Sequence, residues 1–228
     1  MEYNKSTNRL HGRKKLYKLS DEKKTLLDDI LPKFIINIDS SHDYLSDFSH
    51  KKEILLEIGF GYGEHLAFQA NNNPNIGLIG AEPFLNGITN LLKIIVEKNI
   101  RNIKIYNHDA LTLIKSIKPD SISIIYILFP DPWPKAKHKK RRIINESSIK
   151  EYSRILKKDG KIIIATDSKD YQHWILMHIQ KSKLFEWLVN DANDWRARII
   201  KGPLTKYETK AIKSNNKPVY FIFRKNII

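Results

Sequence analysis

The sequence contains no cysteine, which excludes both disulfide bridges and thiolate metal sites. It also lacks any apolar run of roughly 18 residues, the length that a membrane-spanning helix needs. Residues 1–9 are polar and have no apolar stretch of the kind found in a secretory signal. The histidines show no metal-ligand spacing and no His-Glu-x-x-His pattern. We therefore expect a protein that binds neither a membrane nor a metal, with the cytoplasm as its default location. We also expect a monomer or a homodimer.

What the sequence has in excess is positive charge, with a net charge of +15 over 228 residues. Residues 1–24 hold eight basic and three acidic side chains, and residues 135–142 hold six basic and no acidic ones. Charge concentrated in two short stretches favours a bound polyanion such as nucleic acid. We predict a flexible basic arm at residues 1–19 and a single domain at residues 20–228.

From residue 53 onward, short apolar runs bounded by turn residues alternate with helical patterns. Such alternation is typical of βαβ units, so we predict an α/β fold with a mostly parallel sheet. Strands are predicted at Ile54–Ile58, Ile76–Ala81, Ile103–Tyr106, Ile122–Phe129, Lys161–Ala165 and Val219–Phe223. The first helix is predicted to start with Ser20 as its N-cap and to continue through Thr25–Ile30. Further helices are predicted at Glu64–Ala70, Leu85–Lys98, Ile144–Leu156 and Tyr171–Lys181.

Acidic residues recur where the predicted strands end. They are Glu57, Glu82, Asp109 and Asp167, with Asp131 following the fourth strand. In an open α/β sheet, ligands bind in the crevice beyond the carboxyl ends of the strands. Each acid could instead cap the helix that follows it, but their recurrence at equivalent places favours a shared ligand.

The first strand runs into a glycine turn formed by Gly59, Gly61 and Gly63, which permits close approach of a ligand to the backbone. Glu82 is then placed to accept hydrogen bonds from ribose hydroxyls, as it would for NAD or S-adenosylmethionine. The dinucleotide pattern requires Gly or Ala where this chain has Glu64. An acid there opposes a pyrophosphate and suits a sulfonium cation. The sequence therefore favours S-adenosylmethionine.

The fourth strand ends in a rigid turn, Pro130-Asp131-Pro132-Trp133-Pro134, followed directly by the basic run. Three prolines fix the backbone around Asp131, which we interpret as the carboxylate of a reaction centre. Trp133 either stacks on a base or packs beneath the turn. Further along, Thr205 and Glu208 have the spacing of a capping box, although they could also contact a purine edge.

Together these motifs resemble the bacterial tRNA (guanine-N7-)-methyltransferases, which have the class I S-adenosylmethionine-dependent fold. The resemblance covers nearly all of the chain after residue 50. It depends on Glu57–Gly63, Glu82, His108–Ala110, Phe129–Trp133 with its basic tail, Ala165–Asp167 and Thr205–Glu208. It implies a Rossmann-like, mostly parallel seven-stranded sheet with helices on both faces and an antiparallel C-terminal strand. The implied activity is methyl transfer to N7 of a guanine in the tRNA variable loop, guanine-46 in the tRNA convention.

The resemblance also implies roles for individual residues. The methyl donor would be held by Glu57, Gly59, Gly61, Gly63, Glu82, Asp109 and Asp131, with Asp131 also catalytic. The guanine nucleotide would be contacted by Lys135, Asp167, Thr205, Lys206, Tyr207 and Glu208. The tRNA would lie on Lys137, His138, Lys139, Lys140, Arg141 and Arg142. The family usually has Arg at position 137 and often His at position 134, and both departures bear on RNA affinity.

Three other interpretations stay open on the residues alone. An amino-group methyltransferase acting on adenine also has a proline-bearing acidic or amide turn after its fourth strand, but in a different order. A non-catalytic RNA-binding protein on the same fold is the second alternative. The third, a NAD-dependent dehydrogenase, is disfavoured by Glu64 and by the lack of a recognisable catalytic His or Tyr-Lys pair.

Overall fold

A computed structural model describes residues 20–39 and 43–226 of the chain, so the predicted basic arm at residues 1–19 lies outside the described residues. The described part contains a seven-stranded sheet with the order β3-β2-β1-β4-β5-β7-β6. Its strands are β1 (Glu53–Ile58), β2 (Ile76–Ala81), β3 (Ile103–Tyr106), β4 (Ile122–Leu128), β5 (Leu156–Thr166), β6 (Phe185–Trp187) and β7 (Val219–Lys225).

Helices connect these strands. The α-helices are α1 (Asp21–Thr25), α2 (Glu64–Asn72), α3 (Leu85–Lys98), α4 (Ala110–Ser116), α5 (Glu146–Ile155), α6 (Lys169–Ser182), α7 (Asn193–Arg196) and α8 (Lys206–Lys213). A π-helical turn at Leu26–Ile30 continues α1, and short 3-10 helices occupy Leu31–Lys33, Ser46–Phe48 and Ala136–Arg141. Within the described ranges, no helix is both long and apolar enough to cross a membrane.

Strand pairing places a switch point at β1. This strand pairs in parallel with β2 on one side and with β4 on the other. The strands that follow β1 are therefore added first on one side of it and then on the other. A crevice at the carboxyl ends of such strands is where α/β sheets bind ligands. Strand β7 runs antiparallel to both β5 and β6. The predicted seven-stranded, mostly parallel sheet with an antiparallel C-terminal strand is therefore confirmed.

The sheet is buried on both faces, because successive strand residues enter different cores. In β1, Leu55 belongs to the core beneath α2 and α3, whereas Leu56 belongs to the core beneath α4, α5 and α6. In β2, Leu78 and Ile79 alternate in the same way. Each fully buried aliphatic side chain contributes about 1.5–3 kcal/mol. This burial fixes the strand register, and with it the residues that reach the carboxyl edge.

The structure departs from the predicted elements mainly where segments are short or irregular. The predictions omitted α4, α7 and β6, which have seven, four and three residues. Strand β5 begins at Leu156 rather than Lys161, because Leu156 pairs with Ile122 before the register shifts. Asp159 lies in that irregular stretch with a φ of 60°.

Candidate active site

The glycine turn after β1 is built on left-handed backbone, since Gly59, Gly61 and Gly63 have φ values of 71°, 59° and 80°. Gly61 also lies very close to α3, because a Cβ on Gly87 would come within 1.9 Å of the Gly61 carbonyl oxygen. Side chains at these positions would strain the backbone or separate the turn from α3. The glycines therefore hold the turn tightly over the carboxyl ends of β1 and β2.

Glu82 ties this turn to β2. Its Oε2 accepts a hydrogen bond from the Gly61 N–H, and its Oε1 accepts one from the Phe84 N–H, both at 2.9 Å. Burial raises the pKa of Glu82 to about 7, against the lowering effect of these two donors, and the charges of Asp131 and Glu57 raise it further. Glu82 therefore faces the crevice, and a bound ligand can change the ionisation of its carboxyl group.

Glu57, by contrast, lies in a buried network beneath the turn. Its Oε2 is 2.8 Å from Nδ1 of His65, and both side chains are almost fully buried. The His65 ring also contacts Tyr126 edge-on, at 4.7 Å between centroids. Because one carboxylate oxygen is held by His65, the predicted contact of Glu57 with a methyl donor stays a prediction.

The proline turn after β4 presents Asp131 between two residues with unusual backbone. Phe129 and Trp133 have φ values of 53° and 43°, and neither is glycine. Such conformations cost roughly 1–2 kcal/mol per residue, so the surrounding structure must enforce them. Asp131 itself is exposed. Stored strain on both sides of an exposed carboxylate is typical of a functional turn.

The basic run that follows forms the 3-10 helix Ala136–Arg141, and its side chains do not all face solvent. Lys135, Lys137 and Lys140 are exposed. Lys139 donates to Asp170 at 2.9 Å and remains about one-third exposed. The Arg141 guanidinium lies 5.0 Å from the centroid of the Trp133 ring.

Arg142 contradicts its predicted role. Its side chain is fully buried and pairs with Asp170. Its Nε donates to the Pro132 carbonyl oxygen at 2.8 Å, and its guanidinium lies over Tyr171 and Trp174. A buried guanidinium with these partners cannot reach a phosphate, so the predicted RNA contact of Arg142 is wrong. The sequence shows how many charges the basic run carries, but not which of the side chains point inward.

The start of α8 settles the interpretation of the Thr205–Glu208 spacing. The Thr205 hydroxyl accepts from the Glu208 N–H at 3.1 Å, and Glu208 Oε2 accepts from the Thr205 N–H at 3.4 Å. Glu208 is only 1% exposed and also accepts hydrogen bonds from Arg198 and from the Tyr220 hydroxyl. The capping box is therefore confirmed, and the predicted base contact of Glu208 is contradicted by its burial. Thr205 is also buried, so its hydroxyl serves the cap.

Helix α8 lies over the glycine turn. The Lys206 ammonium is 3.9 Å from the centroid of the Tyr62 ring, close enough for a cation–π contact. The Tyr207 ring lies against Gly61, because a Cβ on Gly61 would come within 2.8 Å of it. These contacts make Lys206 and Tyr207 one wall of the crevice.

A cleft of about 1070 Å³ opens between the glycine turn, the proline turn and α8. It brings together six of the predicted site residues, namely Gly59, Glu82, Asp131, Arg141, Lys206 and Tyr207. Carboxylates of Glu64, Glu82 and Asp131 lie along its lining, whereas basic side chains lie on two of its walls. A cleft lined by both kinds of charge suits a ligand that carries a cationic group as well as anionic groups.

Comparison with known proteins decides the family. A family model described as "Putative methyltransferase" matches residues 51–222. A tRNA (guanine-N(7)-)-methyltransferase from Agrobacterium fabrum is 37% identical over 222 residues, which are 96% of each chain. This chain belongs to the tRNA (guanine-N(7)-)-methyltransferase family. The family predicted from the motifs is thereby confirmed.

Solved structures extend the likeness at the level of the fold. The 16S rRNA methyltransferase KamB superposes with a TM-score of 0.61 at 10% identity, over 82% of this chain and 94% of that one. A methyltransferase from Streptococcus mutans, solved in complex with SAH, gives a TM-score of 0.50 at 13% identity, over 81% and 99% of the two chains. The predicted class I methyltransferase fold is confirmed.

In this family member, the cleft can be tested for its fit to a sulfonium methyl donor. A Cβ added to Gly59 would meet no atom within 4 Å, so the turn leaves open space beside the cleft. Burial also raises the pKa of Glu64, whose carboxyl group lines the same space. The open space beside the glycine turn leaves room for a ligand, and the three carboxyl groups suit one that carries a positive charge and hydroxyl donors. Among the described residues, no group of three or more His, Asp or Glu side chains is arranged to hold a metal ion.

Two predicted acids lie elsewhere at the carboxyl edge. Asp109 caps α4, its Oδ2 accepting from both the Thr112 N–H and the Thr112 hydroxyl at 3.0 Å. Asp167 accepts from Asn216 Nδ2 at 2.6 Å. Neither borders the cleft described above, and their roles toward the donor and the nucleotide stay predictions.

No role was predicted from the sequence for several residues that line the cleft. These are Tyr62, Phe84, Leu204, Lys210 and Lys213. For Lys210 and Lys213 a signal was present, because they follow Lys206 at helical spacing on α8. For Phe84 there was none, since its placement depends on how closely α3 packs against the glycine turn.

Proposed function

We propose that this protein transfers the methyl group of S-adenosylmethionine to N7 of a guanine in tRNA. The observation that carries the proposal is the meeting of Glu82, Asp131 and the glycine turn in one cleft with basic walls. The named function of the relative from Agrobacterium fabrum and the SAH bound to the Streptococcus mutans structure support it. The variable-loop guanine, a cytoplasmic location and a monomeric or homodimeric state remain predictions.

The donor side of the cleft would be the glycine turn with Glu82. S-Adenosylmethionine supplies an electrophilic methyl group on a sulfonium when it is bound. Glu82 would accept hydrogen bonds from ribose hydroxyls, in addition to the two that it already accepts from backbone N–H groups. Glu64 and Asp131 would place negative charge beside the sulfonium. Glu57 would support the turn from below through its pairing with His65.

The guanine side would be the proline turn and α8. Guanine N7 is an acceptor lone pair that needs no deprotonation, so the bond-forming step requires no general base. Orientation of the reacting atoms can contribute roughly 7–11 kcal/mol. Positive charge develops on the purine during transfer, and the Asp131 carboxylate would stabilise it. Tyr207 on α8 and Trp133 on the proline turn both line the cleft, and either ring could stack on the base.

The tRNA backbone would lie on the exposed members of the basic run. Lys135, Lys137 and Lys140 face solvent on the 3-10 helix beside Trp133. Side chains of this kind contact phosphates and position the nucleic acid with little reading of its sequence. Specificity for one guanine would then come from tRNA shape.

The direct test is incubation with bulk tRNA and labelled S-adenosylmethionine, followed by nucleoside analysis. We expect the label on 7-methylguanosine, whose base carries a fixed positive charge. Label on the amino group of adenine would support the adenine methyltransferase instead. Absence of S-adenosylmethionine binding in calorimetry would support a non-catalytic RNA-binding protein.

A further inference from the structure

One side of the cleft carries a row of cations that the predicted tRNA contacts do not include. Lys206, Lys210 and Lys213 all line the cleft from α8. Their spacing of four and then three residues places them on one face of the helix. At 1.5 Å per residue, the row extends about 10 Å along the helix axis.

The outer two lysines are available to a ligand. Lys210 and Lys213 are exposed, and within the described part of the chain neither side chain forms an ion pair or a hydrogen bond. Cations in the last turn of a helix also interact favourably with the helix dipole. That effect does not depend on which way a side chain points, so it does not explain why both line the cleft.

The surface beside this row is apolar and exposed. Leu204 and Tyr207 are each 45% exposed and border the same cleft. An aromatic ring next to a line of cations is the combination with which proteins bind single-stranded nucleic acid, the ring stacking on bases and the cations tracking phosphates. Arg141 and Trp133, which also line the cleft, form the same combination, with the Arg141 guanidinium 5.0 Å from the centroid of the Trp133 ring.

We propose that Lys210 and Lys213, continuing from Lys206, bind the phosphates of the tRNA strand next to the target guanine. Two basic segments, the basic run and α8, would then both bind phosphates of this strand. The carboxyl groups of Glu64, Glu82 and Asp131 line the same cleft as these cations, which suits a target base beside the carboxyl groups and phosphates beside the lysines. The inference rests on the proposed function and specifies how its substrate is held.

The test uses the double variant Lys210→Gln/Lys213→Gln of the full chain. The matched control is Lys98→Gln/Lys158→Gln, which removes the same charge from exposed positions at the amino-terminal edge of the sheet. Binding of bulk tRNA is measured over a series of salt concentrations. Each lost contact to a single strand flattens the salt slope by about 0.7, so two give about 1.4. Near physiological salt, this corresponds to about tenfold weaker binding.

We expect this loss for the α8 variant, no comparable loss for the control, and recovery in Lys210→Arg/Lys213→Arg. Affinity for S-adenosylmethionine and the free energy of unfolding should match the wild type in all three. An unchanged salt slope in the α8 variant, or an equal loss of tRNA binding in the control, overturns the inference. The proposed function still holds in that case if the wild-type protein methylates guanine in tRNA. A wild-type protein that neither binds nor methylates tRNA contradicts both.

Discussion

Arg142 donates a hydrogen bond from its Nε to the carbonyl oxygen of Pro132, 2.8 Å away, although the two residues belong to different motifs in the sequence. The Arg142 side chain is fully buried and is also held by Asp170. The last cation of the basic run therefore fixes the proline turn that presents Asp131. The proline turn and the basic run, which are adjacent in the sequence, therefore form one structural unit.

Replacing Arg142 by Gln should destabilise the protein without weakening its phosphate contacts. The variant loses hydrogen bonds from a charged donor, each worth about 1.5–3 kcal/mol, so the free energy of unfolding should fall by about 2–3 kcal/mol. Urea denaturation measures this fall. Methyl transfer should also decline, because the proline turn is released.

Lys140→Gln is the control for Arg142, since Lys140 is exposed on the same basic run. It should leave stability within about 0.5 kcal/mol of the wild type and flatten the salt slope of tRNA binding by about 0.7–0.9. The reverse pattern, with a flattened slope for Arg142→Gln and none for Lys140→Gln, would contradict the structural role of Arg142.

Most of the sheet could be predicted from the sequence, because buried strands are continuous apolar runs bounded by glycine, proline and acidic turns. Strands β1 to β3 lie within one residue of their predicted bounds. Strand β6 could not be predicted, since it has three residues and exists only through pairing with β7. Its stability comes from tertiary contacts that no local pattern contains.

Site residues were predictable where backbone geometry alone decides their position. Glu82 and Asp131 reach the cleft because each follows a parallel strand. Arg142 and Glu208 were misassigned because charge in a motif suggests a ligand, whereas each is buried against another charged side chain. Long-range pairings such as Arg198 with Glu208 leave no spacing signal in a single sequence.

Asp131→Asn tests the carboxylate of the proline turn. Asparagine keeps the size of the side chain but removes its negative charge, so it no longer stabilises positive charge developing on the purine. Methyl transfer should fall about 100-fold or more, as expected when one electrostatic group is removed from a transition state. Single-turnover assays with saturating tRNA measure the fall. Near-normal turnover with unchanged tRNA affinity would remove Asp131 from the proposed mechanism.

The raised pKa of Glu82, about 7, predicts that donor binding depends on pH. A ribose hydroxyl donates more strongly to the charged carboxylate, so S-adenosylmethionine should bind the deprotonated form better. Affinity should therefore rise between pH 5 and about pH 7 and then level off, with a proton released on binding at pH 6. Calorimetry in two buffers of different ionisation enthalpy measures the proton. Glu82→Gln should weaken binding of S-adenosylmethionine and abolish its pH dependence. If the pH dependence persists in this variant, a group other than Glu82 causes it.

The last prediction concerns Arg198, which we infer to be a positioning residue for α8. It donates from Nε to Glu208 Oε1 at 2.7 Å and from Nη2 to the Pro203 carbonyl oxygen at 3.0 Å. It thus holds both the loop before α8 and the buried acid of the capping box. Removing one partner of such a pair leaves an uncompensated charge, which in buried pairs costs about 3–5 kcal/mol. Because Arg198 is 29% exposed, we expect Arg198→Met to cost about 2–3 kcal/mol.

A double-mutant cycle separates this pairing from a general packing effect. Glu208→Gln keeps the shape of the side chain and one oxygen for the capping box, while it removes the charge that Arg198 neutralises. Arg198→Met should therefore cost less when Glu208 is already Gln, with a coupling energy above about 1 kcal/mol. In assays, Arg198→Met should raise the KM for tRNA more than it lowers kcat, because α8 carries Lys206 and Tyr207 rather than Asp131. Additive stability losses, or a loss confined to kcat, would show that Arg198 does not act through α8.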